Sequence, residues 1–121
     1  MKLKLLPHAL SVCQVGSVQD VDLEAPFYFI GKTEEEVSVV CRTEDCPEKT
    51  DSREDGWRGF CVDGALDFSL TGILAKLAGT LAQAGVPIFA VSTWNTDYIL
   101  VKAEQLEKAA GALTEAGYTF V

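Results

Sequence analysis

The stretch from Asp67 to Pro87 constrains the fold of this chain most, because it defines one helix together with its start and its end. Within residues 68–84 the apolar side chains recur three to four positions apart, which is the spacing of one helix face. Asp67 precedes this segment and is a natural N-cap, and Gly85 followed by Pro87 is typical of a helix end. We therefore predict a first helix over residues 68–84 that buries one face.

A second helix and four strands are predicted around it. The second helix runs from about Ala103 to Ala116 and ends at Gly117. Short apolar or β-branched runs predict strands at residues 57–62, 88–91, 98–101 and 118–121. The order strand, helix, strand, strand, helix, strand is that of the ferredoxin-like βαββαβ fold, in which a four-stranded antiparallel sheet carries both helices on one face.

The first part of the chain shows strand patterns and no clear helix. The strand candidates are residues 2–6, 9–15, 27–31 and 36–42. Residues 43–55 contain six acids, two bases and a proline with almost nothing apolar, which predicts a solvated linker. We therefore expect an α+β chain with a smaller β-rich domain and its acidic linker over residues 1–55, followed by the βαββαβ domain over residues 56–121.

Composition limits the functions that such a chain can have. It has 121 residues, of which 18 are acidic and 10 are basic, and the net charge of −8 opposes binding to the phosphates of nucleic acids. No apolar run reaches the roughly 18 residues of a membrane span, and the first residues lack the apolar core of a signal peptide. We expect a cytoplasmic protein without a nucleic-acid or membrane partner.

The residue types that hold metals, cofactors or catalytic centres show no recognisable spacing. Cys13, Cys41, Cys46 and Cys61 form no CxxC pair, and His8 is the single histidine. Glycine-rich phosphate-binding motifs are absent, and nothing in the sequence completes a cysteine–histidine nucleophile. The sequence therefore predicts reduced cysteines, no metal, no cofactor and no enzymatic activity.

Two polar segments in the predicted βαββαβ domain have the chemistry of a ligand site. The loop before the first helix presents the N–H groups of the first helical turn, which can bind a carboxylate. In the turn between the second and third strands of that domain, Asp97 can accept hydrogen bonds from an ammonium group. A free amino acid needs both kinds of partner. The candidate ligand-binding residues are Asp67, Phe68, Ser69 and Leu70 in the loop, and Ser92, Thr93, Asn95, Thr96 and Asp97 in the turn.

Three segments together resemble an ACT domain. They are LDFSLTGILA at residues 66–75, GVPIFAVST at residues 85–93 and NTDYILV at residues 95–101. The resemblance is to the variant found in small bacterial ACT proteins and in the arginine-sensing CASTOR proteins, with kinship to aspartokinase regulatory domains. It implies a βαββαβ fold that binds small ligands, typically amino acids, between two ACT units. It also implies that the N-terminal part is a degenerate ACT-like unit and that the chain forms a homodimer or a larger homo-oligomer.

Two hypotheses about function follow. In the first, the protein is a regulatory module without catalytic activity that binds a free amino acid through the residues named above. In the second, it is a ligand-free assembly or protein-interaction module, in which Asp67 only caps its helix and residues 93–97 only form a hairpin turn.

Overall fold

The computed structural model describes residues 1–67 and 69–121, which form two compact units. Met1–Pro7 and Arg58–Val121 make up one unit, here called the helical unit, and His8–Trp57 make up the other, here called the strand unit. The predicted domains, residues 1–55 and 56–121, differ from these units at the first seven residues and at residues 56–57. The first seven residues belong to the helical unit because the N-terminal strand pairs with strands of that unit, as described next.

The helical unit has the predicted βαββαβ order with one additional strand. In chain order its elements are β1 (Lys2–Leu5), the end of β5 (Ser52–Val62), α1 (Ile73–Gln83), β6 (Phe89–Ser92), β7 (Asp97–Lys102), α2 (Leu106–Glu115) and β8 (Thr119–Phe120). Their order across the sheet is β8, β1, β5, β7, β6. The mixed α+β fold is thus confirmed, as are both helices.

The prediction of a four-stranded antiparallel sheet in this unit is wrong. β1 lies between β5 and β8, antiparallel to β5 and parallel to β8. Leu3 pairs with Val62 on one side and with Phe120 on the other. β1 is therefore inserted between β5 and β8, two strands that would be direct neighbours in the βαββαβ order alone. The described part of the helical unit therefore has a mixed sheet of five strands.

The core of the helical unit lies between its sheet and its two helices. Leu77 and Leu81 from α1 and Ala109 and Leu113 from α2 are fully buried against it. The strands contribute Leu3, Phe60, Val62, Ile99 and Val101. Burying each large aliphatic side chain stabilises the fold by roughly 1.5–3 kcal/mol, so this cluster supplies much of the unit's stability.

Both helices end as their sequences predict. After α1, the Val86 N–H donates to the Leu81 carbonyl oxygen at 2.9 Å, and after α2 the Tyr118 N–H donates to the Leu113 carbonyl oxygen at 3.0 Å. These hydrogen bonds close the last turn of each helix in the Schellman manner, and Val86 and Tyr118 continue into the core. The predicted stops at Gly85 and Gly117 are confirmed.

The start of α1 differs from the prediction. The helix begins at Ile73 with Gly72 as its N-cap, and Asp67 does not cap it. Instead, the Asp67 carboxylate oxygen Oδ1 accepts the Ser69 N–H at 2.7 Å, and the Leu70 N–H donates to the Asp67 carbonyl oxygen at 3.0 Å. A local turn thus uses the N–H groups that the sequence assigned to the helix, and the left-handed φ of 78° at Gly72 prevents the helix from extending backwards.

The strand unit is an antiparallel sheet without an α-helix in the described residues. Its strands are β2 (Leu10–Val15), β3 (Tyr28–Lys32), β4 (Val37–Arg42) and the first part of β5, in the order β3, β4, β2, β5. Two short 3-10 turns, Val18–Asp20 and Thr43–Asp45, connect them. The predicted strands are therefore confirmed, with ends that differ by one residue.

The acidic segment at residues 43–55 is not a free linker. Its last residues belong to β5, where Arg53 pairs with Cys13 of β2. Two of its acids have partners: the Arg42 guanidinium binds Asp45 at 2.6 Å, and the Ser11 hydroxyl donates to Asp55 at 2.5 Å. The prediction failed here because a charged strand at the surface has the composition of a loop.

In the described part of the chain, neither helix has the length and apolar character that a membrane span requires.

Candidate functional site

A cavity of about 280 Å³ lies in the helical unit where α1 begins and the β6–β7 turn approaches it. Three stretches line it: the loop before α1, the first turn of α1 and the β6–β7 turn, contributing residues 66, 67, 70, 72–75 and 92–97. Its volume is near the lower end of the roughly 300–1,000 Å³ of small-molecule sites, so it fits a small ligand.

The structure brings most of the predicted site residues to this cavity. Asp67, Leu70, Ser92, Thr93, Asn95, Thr96 and Asp97 line it. Ser69 is not among its lining residues, and Phe68 lies outside the described residues. The two polar segments therefore meet as the fold prediction required, and their role in ligand binding stays a prediction.

The N–H donors of the cavity come from different residues than predicted. The first hydrogen bond within α1 joins the Lys76 N–H to the Gly72 carbonyl oxygen at 2.9 Å. The N–H groups of Ile73, Leu74 and Ala75 precede that bond and have no acceptor within the helix, and the positive end of the helix dipole lies at the same place. The available donors are thus those of residues 73–75, because the earlier N–H groups of Ser69 and Leu70 are used in the turn.

The β6–β7 turn is held in place by its own hydroxyl groups. The Thr93 N–H donates to the Thr96 carbonyl oxygen at 2.8 Å, and the Ser92 hydroxyl donates to Asp97 Oδ1 at 2.6 Å. The Thr96 side chain is buried and donates to the Val62 carbonyl oxygen at 2.8 Å, which ties the turn to the end of β5. The cavity wall is therefore preformed, and the Thr96 hydroxyl serves the fold.

The loop before α1 is joined to the same turn. The Leu66 N–H donates to the Asn95 carbonyl oxygen at 2.6 Å, so the two segments lie in direct contact. Asn95 thus holds the cavity together through its backbone, which leaves its side-chain amide to face other partners. A hydrogen bond between loop and turn was not predictable from either segment alone.

The ionisable side chains that line the cavity, Asp67 and Asp97, are both acidic. The pKa of Asp67 lies below its ordinary value, first because the Ser69 backbone N–H donates to it and then because of the Ser69 side chain. Asp67 is therefore a carboxylate at neutral pH. The cavity combines carboxylates from the loop and the turn with backbone N–H donors from α1.

Two apolar side chains at the cavity are open to solvent. Trp94 at the tip of the turn is 79% exposed and Leu70 in the loop is 52% exposed. Large apolar side chains that stay accessible beside a cavity are common at binding sites. Trp94 and residues 72–75 line the cavity but were not among the site residues predicted from the sequence. The sequence signal for Trp94 was an aromatic residue within a polar turn. The signal for residues 72–75 was Gly72, a glycine beside the apolar positions of the predicted helix.

Within the described residues, no group of three or more histidine, cysteine, aspartate or glutamate side chains is arranged to hold a metal ion.

Comparisons with known proteins agree with this fold. A family model described as ACT domain matches residues 52–115. A crystal structure of a protein from Agobacterium tumefaciens is 31% identical in sequence with a TM-score of 0.87, and the match covers 99% of this chain and 91% of that one. No protein with curated annotation matches significantly.

More distant structures share the fold alone. A protein of unknown function from Vibrio cholerae, described as a possible transport protein, is 20% identical with a TM-score of 0.70, covering 92% of this chain and 85% of that one. The regulatory subunit of aspartate kinase from Thermus thermophilus, in its ligand-free form, is 12% identical with a TM-score of 0.67, covering 95% of this chain and 96% of that one.

Proposed function

The chain belongs to the ACT-domain family, and from this premise we propose that it is a regulatory module that binds a free amino acid in the cavity at the start of α1. One observation carries the proposal: residues 73–75, whose N–H groups have no acceptor within the helix, line the same cavity as Asp67 and Asp97. This arrangement has the charge pattern that a zwitterionic α-amino acid requires.

The carboxylate of the ligand binds at the N-terminus of α1. Three backbone N–H groups without helical acceptors and the positive end of the helix dipole favour an anion there. Since Gly72 carries no side chain that could cap these groups, a ligand carboxylate completes the first turn of the helix.

The ammonium group of the ligand binds the carboxylates. Asp97 already accepts the Ser92 hydroxyl through Oδ1, and its second oxygen can accept hydrogen bonds from an ammonium group. The ligand side chain then lies toward the accessible apolar surfaces of Leu70 and Trp94. Of the predicted residues, Ser92, Thr93, Asn95 and Thr96 support the site by shaping the turn.

The module acts without catalysis of its own, through a partner protein or as a homodimer or larger homo-oligomer. In support, the fold is that of an aspartate kinase regulatory subunit. In the described residues β6 pairs only with β7, so its outer edge is open to pairing with a second copy. We also propose that the strand unit is a degenerate ACT-like unit, because it retains a four-stranded antiparallel sheet.

A thermal-shift screen of the common amino acids on the full chain tests the proposal. At a hundred times its dissociation constant, a ligand adds about 2.7 kcal/mol to the free energy of unfolding, which raises the melting temperature by several degrees. The matched controls are two analogues of the amino acid, one without the carboxylate and one without the amine. Each should raise the melting temperature less than the complete amino acid does. If no amino acid shifts it, the ligand-free assembly module is the better description.

A further inference from the structure

Three of the four cysteines converge in the strand unit, far along the sequence from the cavity described above. Cys13 in β2 is opposite Val39, and Cys41 in β4 is opposite Ser11. The two cysteines therefore occupy diagonal positions on the same face of neighbouring strands. Both are buried, with exposed fractions of 3% and 2%, and both belong to the apolar core of this unit.

Cys46 completes the cluster from a different element. It follows the 3-10 turn Thr43–Asp45, and its N–H donates to the Thr43 carbonyl oxygen at 3.2 Å. Its side chain packs against the same core while staying partly exposed, and it interacts electrostatically with both Cys13 and Cys41. The cluster thus has one thiol that solvent can reach and two that it cannot.

A guanidinium group lies beside the cluster. Arg53 is directly opposite Cys13 in the pairing of β5 with β2. The pKa of Arg53 is raised, first by its hydrogen bond to Asp55 at 2.8 Å and next by its electrostatic interaction with Cys46. Cys46 therefore combines access to solvent with a neighbouring cation, the surroundings in which a cysteine reacts with oxidants.

The buried thiols have the opposite character. Burial is the main cause that raises the pKa of Cys13 to about 11 and that of Cys41 to about 12. Both therefore stay protonated at neutral pH and react little with external oxidants. Oxidation can join the sulfurs of neighbouring thiols in a disulfide.

We propose that Cys46 is an oxidation site of this protein and that its oxidised form is captured by Cys13 in a disulfide within the strand unit. The oxidant is a hydroperoxide. The Cys46 sulfur attacks one peroxide oxygen, the O–O bond breaks and the leaving oxygen takes up a proton, so that Cys46 becomes a sulfenic acid. The Cys13 sulfur then attacks the Cys46 sulfur, and the S–O bond breaks with loss of water.

The two steps balance as one two-electron oxidation. Two thiols lose two protons and two electrons, and one hydrogen peroxide takes them up to become two waters. Cys13 is the favoured capturing thiol because Arg53 lies opposite it and stabilises its thiolate, whereas Asp45 disfavours the thiolate of Cys41. The bond links β2 to the segment after β4 and restricts the unfolded chain, so the oxidised form melts at a higher temperature.

The test treats the full-length chain with limiting hydrogen peroxide, blocks the remaining thiols and maps linked peptides by mass spectrometry without reduction. The expected product joins Cys13 to Cys46, weighs two hydrogen atoms less than the thiol form and returns to it with a thiol reductant. Cys46→Ser abolishes the product, and Cys41→Ser retains it.

Cys61 provides the matched control, since it is the one cysteine of the helical unit and is also buried. Cys61→Ser therefore retains the linked product. In Cys13→Ala the sulfenic acid persists and reacts with dimedone at Cys46; if that variant does not fold, early dimedone trapping in the unaltered chain gives the same readout. The proposal is overturned if the first label falls on another cysteine, if the link joins Cys41 to Cys46, or if no link forms.

Discussion

At the scale of single residues, Asp97 is the strongest test of the proposed ligand site. Asp97→Asn removes the negative charge while the amide oxygen can still accept the Ser92 hydroxyl, so the turn is preserved. A hydrogen bond to a charged group contributes about 1.5–3 kcal/mol, and the amino acid found in the screen should bind about 10- to 100-fold more weakly. Calorimetric titration measures this, with Glu104→Gln on the exposed surface outside the cavity as control. If Asp97→Asn bound the amino acid as tightly as Glu104→Gln, Asp97 would not be a ligand-binding residue.

Asp67 makes a prediction about pH. Its pKa is lowered from 3.8 in the folded chain by hydrogen bonds from Ser69, so ionisation of this group favours the folded loop above that pH. The contribution is lost as the pH falls through the lowered pKa. The Ser69 amide signal in NMR should therefore titrate with a midpoint below 3.8, and the titration should vanish in Asp67→Asn. A midpoint at or above 3.8 contradicts the observed turn.

At the scale of elements, the start of α1 depends on the backbone of one glycine. Gly72 has a φ of 78° and a Cβ there would meet nothing within 4 Å, so Gly72→Ala costs only backbone strain, about 1–2 kcal/mol. Gly79 in the same helix also has no neighbour within 4 Å but has no positive φ. Gly79→Ala should therefore stabilise the chain by roughly 0.5–1 kcal/mol. Urea unfolding measures the change in the free energy of unfolding for each variant. A change of the same sign in both variants would contradict this helix start.

At the scale of the whole molecule, the two ends of the chain belong to one unit. Leu3 is fully buried between Val62 and Phe120, whereas Leu5 on the same strand is 38% exposed. Leu3→Ala should lower the free energy of unfolding by about 2–5 kcal/mol and Leu5→Ala by clearly less. A fragment of residues 56–121 lacks β1 and should not fold by itself. Cooperative unfolding of that fragment, followed by circular dichroism, would show that β1 is dispensable.

Local sequence patterns specify the two helices, the residues at which both helices stop and most strands. The apolar stripes, the glycines after each helix and the short apolar runs are local patterns, and a local pattern suffices to specify a local conformation. The sequence also identified most residues that line the cavity, because the βαββαβ order brings the loop before α1 and the β6–β7 turn to one place.

The partners of β1, the first residue of α1 and the grouping of the cysteines depend on tertiary contacts. Leu3 pairs with Val62 and Phe120, which are both distant from it in sequence. Cys46 packs against the core that contains Cys13, although the two cysteines belong to different elements. A strand pattern does not specify its partner, since strand pairing depends on contacts between residues distant in sequence. For α1, the turn between Asp67 and Ser69 competed with helix formation, and the tertiary structure shows that the turn prevailed.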